Sequence, residues 1–112
     1  DIVTSTYVPD SNLLAYFHQI TGKASGSLTF GELAAYTGKI TVPQGTTNLV
    51  GVGYATGATE FDLTGFTKFY IPDSEFENHT NVTKVTTSRM NAFSCLLPLG
   101  KTRSYKSSSA FS

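Results

Sequence analysis

Hydrophobic positions fall in short runs that alternate with polar ones, and the runs are separated by clusters of Gly, Pro, Asn, Asp and Ser. A period of two places successive side chains on opposite faces of a strand, so most of the chain reads as β structure. Asp1 to Tyr7 alternates loosely, and Val8-Pro9-Asp10-Ser11-Asn12 follows as a turn. Leu13 to Ile20 fits two patterns. Leu13, Leu14, Phe17 and Ile20 would share a helical face, whereas Tyr16, Phe17 and Ile20 also suit a strand, and the length favours a strand or one helical turn.

Leu28 and Phe30 restore the alternation after a Gly-containing loop. Gly31 to Tyr36 holds the one cluster of good helix formers, bracketed by Gly31 and Gly38, and predicts either a short helix or a strand continuing from Phe30. Lys39-Ile40-Thr41-Val42 is a strand closed by Pro43-Gln44-Gly45. Asn48 to Ala55 predicts a strand with one face of small residues, Gly51 and Gly53, covered by Phe61, Phe66 or Phe69. Thr59 to Ile71 is the longest β-like run, with a bulge at Gly65. Val82 to Thr87 is a Thr-rich strand, Met90 to Leu99 a central strand, and Lys101 to Tyr105 an edge strand. No internal repeat is visible. The expected fold is therefore all-β: a sandwich or jelly-roll-like module of seven or eight short antiparallel strands. It would occupy 1–105 as one domain, followed by a flexible Ser-rich tail at 106–112.

Composition narrows the chemistry. Ser and Thr supply 29 of 112 residues and charged residues 16, with zero formal net charge. Without a positive field to gather phosphates, nucleic acid is not an expected partner. No apolar run is long enough for a transmembrane helix, and no membrane insertion is expected. The chain begins at Asp1, without an initiator Met or a signal-like segment, as a processed chain or excised domain would. Cys95, between Ser94 and Leu96, reads as a small buried hydrophobe.

Catalytic constellations are missing from the pattern. No G-x-S-x-G occurs, His18 sits among aromatics to pack against, and His79 lies in a polar loop as a solvated side chain. Gly51-Val52-Gly53 lacks the strand and helix context of a phosphate-binding loop. The expectation is a protein that is not an enzyme, with no catalytic, cofactor-binding or metal residues assigned. Asp73 and Glu75, near Glu77 and Asn78, are the one place where hard oxygen ligands for calcium gather, against the ordinary alternative of a solvated acidic loop. Asn78-His79-Thr80 and Asn81-Val82-Thr83 are adjacent glycosylation sequons and mark an exposed loop. Tyr16, Phe17, Phe69 and Tyr70 offer either a sugar-stacking platform or, more simply, core.

Thr/Ser/Gly-rich strands, low charge, a single Cys, and stretches such as Lys68-Phe69-Tyr70-Ile71-Pro72 and Leu96-Leu97-Pro98-Leu99-Gly100 resemble the protruding (spike) domain of a small icosahedral RNA-virus coat protein, tombusvirus- or nodavirus-like. The resemblance implies a homodimer on the virion surface that mediates host attachment through a receptor or glycan. Apolar residues that alternation does not place in one core are candidates for such a contact, and Thr59 to Ile71 is expected to contribute. The alternative is a cellular, extracellular binding module of carbohydrate-binding or adhesin type.

Overall fold

The computed structural model describes residues 1–66, 79–88 and 102–106, with side chains assigned in the first two segments except Ser88. Four strands, β1 (Lys39–Thr41), β2 (Glu60–Asp62), β3 (Lys84–Ser88) and β4 (Thr102–Lys106), form one sheet in the order β1-β2-β3-β4. Every pairing between these four strands is parallel. This corrects the expectation of seven or eight antiparallel strands in a sandwich or jelly roll. Parallel neighbours that are consecutive in the chain require each connection to carry the chain back to the same end of the sheet, so the polypeptide winds in successive coils.

The register makes the repeat visible. Lys39, Glu60, Lys84 and Thr102 stand side by side, then Ile40, Phe61 and Val85, then Thr41, Asp62 and Thr86. Ile40, Phe61 and Val85 are fully buried, and Val42 and Leu63 are buried beyond them. What recurs is burial and not identity, which is why no repeat shows in the letters. The coil from β1 to β2 has its own rhythm: Leu49, Val52, Ala55 and Ala58, every third residue, are all fully buried. The strand expected over Asn48 to Ala55 is instead a turning path with a 3-10 turn at Val52–Tyr54. Gly51 adopts φ 94°, and a Cβ there would lie 2.6 Å from the Tyr7 carbonyl oxygen. No aromatic lid is needed to explain that glycine; the N-terminal segment already presses on it.

Successive coils are locked by side chains bonding to the backbone of the coil before. The Asn81 amide donates to the Thr56 carbonyl at 2.6 Å, and Thr83 Oγ1 donates to the Thr59 carbonyl at 3.0 Å. His79 is 4% exposed, its Nε2 3.0 Å from the Ala55 carbonyl oxygen and its Nδ1 accepting from the Val82 amide at 3.1 Å. The solvated histidine expected from the sequence is therefore a buried connector, edge-on to Phe61 with ring centroids 5.3 Å apart. Gly65, expected as a strand bulge, follows β2 in a turn; a Cβ there would collide with the Val42 carbonyl oxygen. Phe61, Leu63 and Phe66 lie in the core, so this part of the proposed dimer contact is taken up internally.

The N-terminal third closes the first coil. Helix α1 (Ser11–Ile20) buries Leu13 and Phe17 and begins at Asp10, whose Oδ1 accepts from the amides of Asn12 and Leu13. The pattern read as a strand or single turn is a ten-residue helix, because Asp10 is its N-cap and not merely a turn residue. Helix α2 (Phe30–Ala34) starts with a capping box: the Glu32 amide donates to Thr29 Oγ1 and the Thr29 amide donates to Glu32 Oε1. Lys23, 2.8 Å from Glu32, and the Thr29 amide hold the Glu32 carboxyl down to about 2.

As the first strand of the sheet, β1 has backbone groups that point away from β2, and two tyrosines meet them. Tyr16 of α1 accepts from the Thr41 amide at 2.8 Å, and the Tyr36 hydroxyl donates to the Lys39 carbonyl at 3.0 Å. Covering an edge in this way satisfies groups that would otherwise recruit a foreign strand. Gly38 makes room for it, since a Cβ there would lie 2.7 Å from the Tyr36 hydroxyl oxygen.

Two outcomes test this architecture. Thr87 is fully buried at the position in β3 that continues the inward row of Val42 and Leu63, and its hydroxyl has no hydrogen-bond partner among the described residues. Thr87→Val should raise stability by about 1 kcal/mol, read as a higher urea midpoint at unchanged slope; a fall would mean that the hydroxyl is satisfied. Asp10 gathers three more donors on Oδ2: the Thr47 and Asn48 amides and Thr47 Oγ1. Burial alone would raise its pKa, but the amides of Thr47, Leu13, Asn12 and Asn48 outweigh it and hold the carboxyl below its ordinary value. A carboxyl with the lower pKa in the folded state contributes fully above the unfolded value, near 4, and loses that contribution as pH falls through the folded one. Asp10→Asn should lower stability at pH 7 by about 1–3 kcal/mol and flatten its acid dependence. Urea denaturation at pH 7 and pH 3 measures both; an unchanged acid slope would remove Asp10 as its source.

Candidate functional site

Helix α1 lies alongside the carboxyl ends of β1 and β2, and a groove of about 640 Å³ runs between them. Its volume is in the range that small-ligand sites occupy. The helical wall is the stripe Asn12, Ala15, Tyr16 and Gln19, whose spacing places all four on one face. Leu13 and Phe17 on the adjoining face pack into the core and set the rotation of the helix. The opposite wall is Thr41 to Gln44, completed by Asp62, Thr64 and Gly65 from the following coil.

The two walls are joined at both ends of the helical stripe. Near Asn12, Asp10 bonds simultaneously to the helix and to the loop after β1, and near the other end Tyr16 bonds to Thr41. Burial, countered in part by the Thr41 amide, raises the Tyr16 pKa. The phenol therefore keeps its proton at neutral pH and can donate one hydrogen bond while accepting another.

Polar groups converge on this space from three separate segments. The side chains of Asn12, Gln19 and Gln44 make no hydrogen bond with any described residue, so three carboxamides, each a donor and an acceptor, are available to a ligand. Asp62 is 4% exposed, and its Oδ1 accepts from the Thr64 amide at 3.0 Å and from Thr64 Oγ1 at 2.6 Å. That Asx-type turn fixes the direction of the carboxylate. A second recess of similar size on the other flank of α1, beside Leu14 and His18, draws its lining from the helix and the loop that follows. It lacks the convergence of segments that the first groove has.

The sequence-derived candidates are distributed differently. Asp73, Glu75, Asn78, Phe69, Tyr70 and Cys95 lie outside the described residues, and among the described ones no group of three metal-ligating side chains occurs. Of the proposed stacking residues, Tyr16 lines the groove and Phe17 is fully buried. His18 is half-buried with Nδ1 2.8 Å from the Lys23 carbonyl oxygen. Asn81 is exposed, yet its amide already bonds the preceding coil. Among the described residues no helix is long and apolar enough to cross a membrane.

Sequence reasoning missed the groove because its residues come from 12–19, 41–44 and 62–65. The available signal was the polar stripe at helical spacing through Asn12, Tyr16 and Gln19, legible only once α1 is recognised as a helix. A surface aromatic cluster was also missed: Tyr7, Phe30 and Tyr54 meet edge-to-face, with Tyr7 and Tyr54 partly exposed. Its rings are steeply inclined to one another and present no flat platform.

No family model matches this chain, and no curated protein matches it. Among solved structures, that of the CBM51-2 and INT domains from Clostridium perfringens ZmpB is similar at 16% identity and a TM-score of 0.47. The likeness covers 80% of this chain and 19% of that one, so this chain spans less than a fifth of its length. At that identity and score the likeness transfers neither fold nor ligand to this chain.

Proposed function

We propose that this chain is a non-catalytic extracellular binding module of carbohydrate-binding or adhesin kind, and that the groove beside α1 holds its ligand. The observation that carries this reading is the set of three unengaged carboxamides, Asn12, Gln19 and Gln44, facing one space together with hydroxyls and a fixed carboxylate. Planar amides and carboxylates that offer donors and acceptors side by side suit the adjacent hydroxyls of a sugar. A neutral, Thr/Ser-rich exterior suits a reversible, wet contact.

Catalysis has less support. The described lining residues of the groove include no histidine or cysteine and a single carboxylate, Asp62, so they hold no acid–base pair. The capsid-spike reading drew its structural content from a β-sandwich, and the four parallel strands replace that premise. The coil architecture favours the cellular alternative on physical grounds, since stacked coils present continuous surfaces to partners.

Screening the protein against a glycan array, followed by calorimetry on the members bound, tests this reading. Binding is expected, and the double variant Asn12→Ala/Gln19→Ala should weaken it at least about tenfold, the loss of two hydrogen bonds of about 1 kcal/mol each. Both positions are exposed, so folding should be unaffected. Binding that survives the double variant would place the site elsewhere.

A further inference from the structure

Helix α1 separates two recesses of about 640 and 650 Å³ and lends side chains to both. At 3.6 residues per turn its outward positions divide cleanly: Asn12 and Tyr16 line the first recess, Leu14 and His18 the second, and Ala15 and Gln19, which line both, stand on the crest between them. Ala15 is exposed and carries only a methyl group, so the crest dips there. Gln19, one turn further on, is also exposed, and its carboxamide makes no hydrogen bond with any described residue. It can therefore serve a ligand on either side of the helix. Through these two shared positions the recesses form one continuous surface.

The two sides differ in chemistry. The first offers amides and hydroxyls. The second is mainly apolar, lined by Leu14 and Ala15 from the helix and by Ala24 and Gly26 from the loop that follows. That loop is held against the helix by His18, whose Nδ1 lies 2.8 Å from the Lys23 carbonyl oxygen. A sugar carries both kinds of surface, hydroxyls around the ring and C–H bonds on its faces, and an apolar recess accepts the faces. A helix with its side chains is about 10 Å across, wider than a single sugar ring, so only a chain of linked sugars reaches both sides. We infer that the ligand is an oligosaccharide that crosses α1 at Ala15, hydrogen-bonded in the first groove and packed through its apolar faces in the second recess. This rests on the saccharide-binding reading above and adds to it the size of the ligand and a second subsite. Two contacts joined in one ligand reinforce each other, because once the first forms the second meets a high effective concentration.

Calorimetry with a series of increasing length tests this, running from the single sugar to the tetrasaccharide of whichever glycan an array shows to be bound. The native protein should bind the tetrasaccharide at least about tenfold more tightly than the single sugar. Ala24→Gln fills the second recess from an exposed loop position, and Ala15→Arg raises the crest with a residue that suits a helix. Each should bring the ratio of the two affinities to within about threefold. Equal affinity for all lengths in the native protein would overturn the inference, as would an unchanged ratio in either variant. No binding to any member of the array would instead overturn the saccharide reading itself.

Discussion

The carboxylate of Asp10 is the contact on which the rest of the N-terminal half depends. Its two oxygens collect four backbone amides and one hydroxyl, from Asn12 and Leu13 close by and from Thr47 and Asn48, 37 and 38 residues along the chain, so the start of α1 and the loop after β1 cannot move independently. A charged acceptor serving this many donors in a buried place is strong because each donor would otherwise be left unsatisfied. Helix position, the covering of the β1 edge by Tyr16, and the width of the groove all follow from it. Leu13 and Phe17 then set the face that the helix turns outward.

Beyond that junction the coils support one another. In a parallel sheet whose neighbours are also sequence neighbours, each turn of chain buries its apolar row against the next, through Ile40, Phe61 and Val85. Polar side chains that might have faced solvent bond instead to the preceding coil, as Asn81, Thr83 and His79 do. The abundance of Thr thus has a structural use in addition to surface solubility. It also explains how a chain with modest apolar content holds an ordered core.

The candidate site uses what this arrangement leaves over. Tyr16 serves the strand edge and the groove at once, and Asp62 belongs to a strand on one side and to a turn on the other. A site assembled in this way has its geometry held by the same bonds that hold the fold, which is the preorganisation that binding requires.

Some of this was legible in the letters. Lys39 to Val42, Val82 to Thr87 and Lys101 to Tyr105 mark β1, β3 and β4 to within a few residues, because β-branched runs ended by turn formers carry a local signal. Composition by itself determined a neutral surface and an apolar pattern dominated by short extended runs. Strand direction was not legible, since parallel and antiparallel neighbours bury the same alternating residues and differ only in where the chain goes between them. The cap that Asp10 gives α1 is local, made to Asn12 and Leu13, and could have been read from the letters. Tertiary structure decided that His79 is buried and that Asn12, Gln44 and Asp62 face one groove. These two depend on partners some 24 or more residues away or on the winding of the coils, to which local periodicity has no access.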